Sequence, residues 1–262
     1  MTYNTTNISV IIATLNCGET LERCLKSIVS QSFSNFDLII IDGGSTDNTL
    51  QIINNYRAFI SYWESNRDRG IYHAWNKGLK HAKGDWVCFI GGDDYFWSTD
   101  VLQDYQPHLM NALKLGIRVV HGRVARVDNN RNLIALWGKP WHKNRWQMPH
   151  GMPIGMPHTG LMNHISLFKE NGNFDDNFKI AGDYEFLLRE LKHKDRKAMF
   201  IDDLITVAQQ IGGIADSNKI KCHRECSIAR KKNGLCYFSW LWWSVYFRNF
   251  LRLKLKNLCN LR

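Results

Sequence analysis

Four short apolar runs mark the N-terminal part of the chain, and each one stops at polar or acidic residues. Residues 8–16 read ISVIIATLN, residues 37–42 read DLIIID, residues 60–65 read ISYWES, and residues 86–94 read WVCFIGGDD. Runs this short, rich in branched and aromatic side chains and closed by turn formers, predict buried strands. Helical periodicity fills the gaps between them. Leu21, Cys24, Leu25 and Ile28 recur on one helical face, with Glu19 and Glu22 in a first turn that favours acids. Residues 47–57 continue the pattern behind Asp47 as a cap, and Ala74, Lys77, Gly78 and Ala82 mark a third helix stopped at Gly84.

Strands alternating with helices predict an α/β fold whose mainly parallel sheet is covered on both faces. Ligands of such sheets bind beyond the carboxyl ends of the strands. Thr14-Leu15-Asn16, Asp42 and Asp93-Asp94 all fall at such ends, so three strands are expected to aim polar groups at one crevice. Each has an ordinary explanation alone, as a turn former or a cap. Two adjacent acids such as Asp93 and Asp94 repel each other unless positive charge or solvent lies beside them, and a divalent metal is one answer. The turn after the first strand, ATLNCGET, carries one glycine, and neither a dinucleotide fingerprint nor a P-loop follows.

With 262 residues, 44% of them hydrophobic, the chain has enough material for one sizeable domain and a tail. A formal net charge of +10 calls for an acidic partner: nucleic acid, anionic lipid or a phosphate-bearing substrate. Seven cysteines without a regular framework suit reduced thiols in a cytosolic compartment. The CHREC stretch at 222–226 lacks a second pair at zinc-finger spacing. The N-terminus has no basic segment ahead of its apolar run, so secretion is not expected.

The excess charge gathers in residues 230–262, which hold basic residues, no acids and a dense aromatic centre. The uncharged run at 233–247 is shorter than the ~20 residues that span a bilayer. An interfacial helix is expected instead, with Trp240, Trp242 and Trp243 at headgroup level and Arg248, Arg252, Lys254 and Lys256 toward anionic lipid. Packing of this tail on the domain is the plainer alternative. A nucleic-acid-binding protein would spread its basic residues over the folded domain, so nucleic acid is not an expected partner.

Taken in order, SVIIATLN (9–16), IDGGSTDNT (41–49), DRGIYHAWNKGLKHAKGDWVCFIGGDD (68–94) and NFDDNFKIAGDYEFLLR (173–189) resemble the inverting glycosyltransferases of family 2, which have the GT-A fold. The DRGIY block is similar to a bacterial branch that builds O-antigen and related surface polysaccharides. The resemblance covers roughly residues 8–215. With the composition of the tail, it leads to an expected catalytic domain over residues 1–229 and a membrane-associating tail over 230–262.

The resemblance also implies site roles. Thr14, Asn16 and Glu19 would lie near the nucleotide, and Asp42 would contact the uracil or ribose of a UDP-sugar. Asp68 and Arg69 would border base and diphosphate, with Asn76 and Lys77 supporting that wall. Asp93 corresponds to the metal-binding acid of the family's DXD motif, with Asp94 beside it, for Mn²⁺ or Mg²⁺. Asp183 falls where the family keeps its catalytic base. The sequence departs from the family pattern at Gly43, Gly91 and Gly182, where acids often stand.

The loop at 139–164 would enter the acceptor side, where Trp141 and Trp146 would stack on sugar rings and His158 would position acceptor or phosphate. A structural loop with satisfied histidines is the equal alternative. His142, His150, His158 and His164 have no recognised metal spacing. The implied reaction moves a hexose, glucose first and galactose second, from a UDP-sugar to GlcNAc or GalNAc on polyprenyl diphosphate, at the cytoplasmic face of the inner membrane. A catalytically silent polysaccharide-binding relative is the competing reading.

Overall fold

A computed structural model describes residues 6–141 and 155–235, together with Phe247. Its N-terminal half follows the expected alternation: β1 (Ile8–Thr14), α1 (Leu21–Val29), β2 (Phe36–Asp42), α2 (Thr49–Asn55), β3 (Tyr62–Ser65), α3 (Ile71–Leu79) and β4 (Trp86–Gly91). These four strands are parallel in the order β3-β2-β1-β4. Their register pairs Thr14 with Asp42, Asp42 with Ser65 and Ala13 with Gly91. The carboxyl ends are therefore level, and the polar residues that end the strands share one edge.

The second half is mixed. It comprises β5 (Tyr95–Phe96), α4 (Val101–Lys114), β6 (Val119–Val127), β7 (Leu133–Trp137), β8 (Met162–His164), α5 (Ser166–Asn171), α6 (Gly182–Leu191), β9 (Met199–Gln210), α7 (Ile214–Ser217) and α8 (Lys219–Lys232). β8 runs antiparallel to both β4 and β6, β9 is parallel to β6, and β5 and β7 are antiparallel additions. Parallel pairing therefore holds for the first four strands and for the β6–β9 pair, while the other pairs of this half are antiparallel. Antiparallel neighbours need no crossover helix, which leaves this half free to use short strands and a hairpin.

Period-two alternation sorts each central strand between two apolar layers. Val10, Ile12, Ile40, Cys88 and Ile90 pack with Leu25, Ile28, Ile53, Leu102 and Tyr105 of α1, α2 and α4. Ile11, Ile39, Ile41, Val87 and Phe89 pack on the other face with Tyr72, Trp75, Phe186 and Leu187 of α3 and α6. Burial on both faces is why these strands read as unbroken apolar runs.

Several boundaries differ from expectation. α3 ends at Leu79, well before Gly84. Gly84 serves a close approach instead, because a Cβ there would lie 2.4 Å from the backbone nitrogen of Ser9. Glu19 precedes α1, leaving Glu22 as the acid of its first turn. Asn48 takes the cap position of α2, and Asp47 accepts from the Gly18 and Thr49 amides at 2.9 and 3.0 Å. α8 runs across the expected 229/230 boundary with Ala229 and Arg230 fully buried. Residues Trp240, Trp242, Trp243, Arg248, Arg252, Lys254 and Lys256 lie outside the described residues, as do His142, Trp146 and His150. Among the described residues no helix is long and apolar enough to cross a membrane, and Cys17, Cys24, Cys88, Cys222 and Cys226 are free thiols.

Candidate active site

Asp42, at the end of β2, is fully buried. It accepts from the Thr14 hydroxyl at 3.0 Å, the Ser65 hydroxyl at 2.6 Å, the Gly44 and Ser45 amides at 2.9 and 2.8 Å, and the Ser45 hydroxyl. Burial pushes its carboxyl up, but the hydrogen bonds from Ser45, Ser65 and Thr14 more than offset this and hold it below the usual range. A carboxylate has about four lone-pair sites, so these donors saturate it. In this arrangement Asp42 organises the loop after β2, its carboxylate engaged by the protein's own donors.

A second acid, half-buried Asp68, stands beside this loop. A Cβ on Gly43 would sit 2.9 Å from its Oδ2, so the glycine departure at 43 makes room for the Asp68 carboxylate. Asp68 Oδ1 accepts the Gly70 amide at 2.8 Å, which fixes its direction. Thr14 is buried beneath this floor. Asn16 has φ 50°, accepts the Thr46 amide at 2.9 Å and donates its own amide to Ser45 at 2.8 Å. It pins the β1 loop to the β2 loop, while Glu19 lies exposed beyond it.

Arg69 forms an ion pair with Asp176, and its carbonyl accepts from Lys179 Nζ at 2.7 Å. Asn76 exchanges two hydrogen bonds with the Phe174 backbone, at 2.8 and 3.0 Å. Lys77 pairs with Glu64 at 2.7 Å and draws the Glu64 carboxyl down. Asn76 therefore braces α3 against the late motif, and Lys77 braces it against β3.

After β4, Asp93 is exposed and Asp94 is buried. The Thr159 hydroxyl donates to Asp94 Oδ2 at 2.8 Å. Burial, with the charge of Asp93 added, pushes Asp94 up to about 8. A Cβ on Gly91 would lie 2.6 Å from Asp93 Oδ1, so glycine at 91 leaves that carboxylate its place. No cluster of three or more His, Cys, Asp or Glu side chains able to hold a metal ion occurs among the described residues. This mutually repelling pair, one carboxylate exposed and one buried, does fit a hard divalent cation that takes its other ligands from a bound diphosphate.

Asp183 lies in the first turn of α6, behind Ala181 as the cap residue. The Tyr72 hydroxyl is 3.0 Å from its Oδ1 and 2.7 Å from the Ile180 carbonyl. A single carboxylate oxygen of Glu225, on α8, accepts the amides of Lys179, Ile180 and Ala181 at 3.0, 2.8 and 3.0 Å. Asp93, Asp94 and Asp183 line one cavity of about 490 Å³.

His158 also lines that cavity, its ring 5.2 Å from Trp75 and 5.6 Å from Phe89. It is buried and neither ring nitrogen has a hydrogen-bond partner, so it is not the satisfied histidine of the plainer reading. Burial pushes its pKa down, which keeps the ring neutral. Trp141, only 3% exposed, packs in the second apolar layer and is not among the residues that line the cavity.

Tyr72, Thr159 and Glu225 escaped sequence reasoning as members of the site. Tyr72 stood inside a recognised block, but its partner lies 111 residues away. Glu225 sits within CHREC, where the flanking cysteines drew attention to metal.

The family model for Glycosyl transferase family 2 matches residues 9–171, more than half of the chain. The chain belongs to that family. A PGL/p-HBAD biosynthesis glycosyltransferase of Mycobacterium bovis is 26% identical over 212 residues, covering 80% of this chain and 79% of the relative. An Escherichia coli UDP-Glc:alpha-D-GlcNAc-diphosphoundecaprenol beta-1,3-glucosyltransferase, WfaP, is 37% identical over 109 residues, 41% of this chain and 43% of that one. The crystal structure of S. aureus TarS residues 1–349 with UDP-GlcNAc superposes with a TM-score of 0.63 at 21% identity. It covers 85% of this chain, which spans 66% of that fragment and 39% of the whole TarS chain. The fold of this family 2 transferase is the GT-A fold expected from its sequence motifs.

Proposed function

We propose that this transferase moves a hexose from a UDP-sugar, with inversion, to a GlcNAc or GalNAc residue carried on polyprenyl diphosphate, in O-antigen or related polysaccharide synthesis. The observation that carries the reading is the single cavity onto which the Asp93-Asp94 pair and the Tyr72-bonded Asp183 both open. The activity named for the E. coli relative supports a lipid-diphosphate-linked acceptor and glucose as first choice of donor sugar; galactose is the second choice. The UDP-GlcNAc complex of TarS supports a UDP-sugar donor.

In this reading Asp68 faces the nucleoside, and the loop held by Asp42 and Asn16 shapes the floor beneath it. Asp93 and Asp94 would hold Mn²⁺ or Mg²⁺, which supplies positive charge against the departing diphosphate. Asp183 accepts the proton of the acceptor hydroxyl as its oxygen bonds to the anomeric carbon. The bond from that carbon to the UDP oxygen breaks on the opposite side, so an α-linked donor gives a β product. Tyr72, whose phenol is kept protonated by burial and by the nearby charge of Asp183, orients the base. His158 stands neutral in the wall, next to the Thr159 that holds Asp94.

The protein would work peripherally at the cytoplasmic face of the inner membrane. The catalytic unit then includes residues 230–235, which continue from α8, and the basic aromatic remainder of the tail meets the membrane. No nucleic acid takes part. The deciding experiment is transfer to a synthetic GlcNAc- or GalNAc-diphospholipid from a panel of UDP- and GDP-sugars, with Mn²⁺ or with EDTA. Transfer from one UDP-hexose, abolished by EDTA and by Asp93→Ala, supports the proposal; activity that survives EDTA overturns its metal, and silence with every donor overturns the reaction.

A further inference from the structure

The CHREC stretch at 222–226 lies on α8, and both of its cysteines reach the catalytic cavity. Cys222 and Cys226 are one helical turn apart, so their side chains share one face of the helix. Both line the space that holds Asp93 and Asp183, and both are half-buried free thiols. No step of the proposed reaction uses them.

The two thiols are unequal. The Cys226 thiol donates to Cys222 and draws the Cys222 pKa down, although burial and the carboxylates of Asp183, Glu225 and Asp216 oppose it. The same contact, together with burial and the charges nearby, pushes Cys226 up. Cys222 also stands close to the N-terminus of α8, whose dipole favours a thiolate. An accessible, acidic thiol beside a less acidic one is the arrangement of an attacking cysteine and its resolving partner. The remaining described cysteines differ, since Cys24 and Cys88 are fully buried and burial pushes the Cys17 thiol up.

The turn between the two sulfurs carries Glu225. Cβ atoms one turn apart on a helix are separated by about 5–6 Å, whereas a disulfide draws them to about 3.5–4.5 Å. Joining Cys222 to Cys226 therefore pulls in the turn from which Glu225 reaches out. One oxygen of Glu225 accepts the Lys179, Ile180 and Ala181 amides, just ahead of Asp183.

We propose that Cys222 and Cys226 are a peroxide-reactive thiol pair whose disulfide loosens the turn before Asp183 and slows sugar transfer. The Cys222 thiolate attacks one oxygen of hydrogen peroxide; the S–O bond forms, the O–O bond breaks, and hydroxide leaves a sulfenic acid behind. Cys226 sulfur then attacks the Cys222 sulfur, the S–O bond breaks, and the departing hydroxide takes the Cys226 proton as water. The thiol pair gives up two electrons and the peroxide is reduced to water. The effect on transfer rests on Asp183 as the base proposed above, whereas the thiol chemistry does not.

The test treats the full chain with hydrogen peroxide, blocks the remaining thiols and digests with trypsin. Cleavage after Lys221, Arg224 and Arg230 puts the two cysteines on separate peptides, 222–224 and 225–230, so their disulfide gives one linked mass. Expected are that linked mass, faster hydrogen exchange at the Lys179–Ala181 amides and a fall in kcat of about tenfold. Dithiothreitol should reverse all three. Cys222→Ser and Cys226→Ala, each checked for folding by thermal unfolding and compared with itself before and after peroxide, should show none of them.

A disulfide to any other cysteine, or a Cys222 sulfinic acid without the linked mass, overturns the proposal. So does the linked mass with unchanged amide exchange, or peroxide inhibition that persists in both variants. If the native protein transfers no sugar to any acceptor, the functional reading fails by itself, and the linked mass together with the exchange rates decides this inference.

Discussion

The Tyr72 hydroxyl lies 3.0 Å from Asp183 Oδ1, joining α3 to the first turn of α6 across 111 residues of chain. The same hydroxyl is 2.7 Å from the Ile180 carbonyl. A phenol has one proton to donate, so it reports on the carboxylate and on the loop before it. Tyr72→Phe is expected to lower kcat about tenfold, with KM for the donor within about twofold, because it loosens a base without touching the nucleotide. Asp183→Asn is expected to cost about 10²–10⁴-fold in kcat. Steady-state kinetics on the two variants check both figures, and a Tyr72→Phe enzyme as active as the native one removes Tyr72 from the mechanism.

Glu225 gathers three amides of the Lys179–Ile180–Ala181 turn on one oxygen. Removing it leaves buried donors without a partner, which costs about 1–3 kcal/mol. Glu225→Ala is therefore expected to lower the urea midpoint and to reduce kcat, since that turn carries Asp183. Glu225→Gln, which keeps an acceptor oxygen, recovers part of both. Denaturation curves for the pair would expose a purely electrostatic role if glutamine rescued nothing.

Gly43 and Asp68 compete for one volume. Gly43→Asp is expected to raise the donor KM about tenfold by displacing the Asp68 carboxylate, whose Oδ2 lies 2.9 Å from the new Cβ position. Asp68→Ser in the same chain removes that carboxylate and should restore much of the loss. Unchanged KM in Gly43→Asp would show that the nucleoside contacts neither acid.

His121 governs one part of the pH dependence of stability. Its ring is buried beside Phe200, and burial pushes its pKa down to about 4 from 6.5. Between those values the unfolded chain binds the proton and the folded chain does not, so stability rises with pH through that window and falls as pH drops. The slope is at most about 1.4 kcal/mol per pH unit. Urea denaturation of native and His121→Gln protein at pH 4.5 to 6.5 should show the variant less sensitive to acid; parallel curves would assign the slope to other groups.

The parallel half of the fold was legible because its strands are buried on both faces and announce themselves as apolar runs. The mixed half was not, since β5 and β8 are two and three residues long and carry too little pattern to register. Within the site, residues at strand ends could be picked out, but their orientation could not. Asp42 and Asp68 are both acids near turns, and only packing shows that one is saturated by neighbouring donors while the other abuts Gly43. An aromatic residue in a polar loop reads equally as a sugar platform or as structural packing, and only folding shows Trp141 in the apolar layer with Phe186 and Leu187 of α6.

The linear pattern alone specifies the strand–helix alternation, the acids at the strand ends, the family motifs and the surplus of positive charge. These follow from local spacing, which a reader of the chain can measure. Folding alone brings Tyr72 to Asp183, Thr159 to Asp94 and Glu225 to the turn before α6. Those contacts depend on how layers pack and on whether a buried carboxylate finds donors, and hydrogen bonds between residues far apart in the chain leave no periodic trace in the sequence.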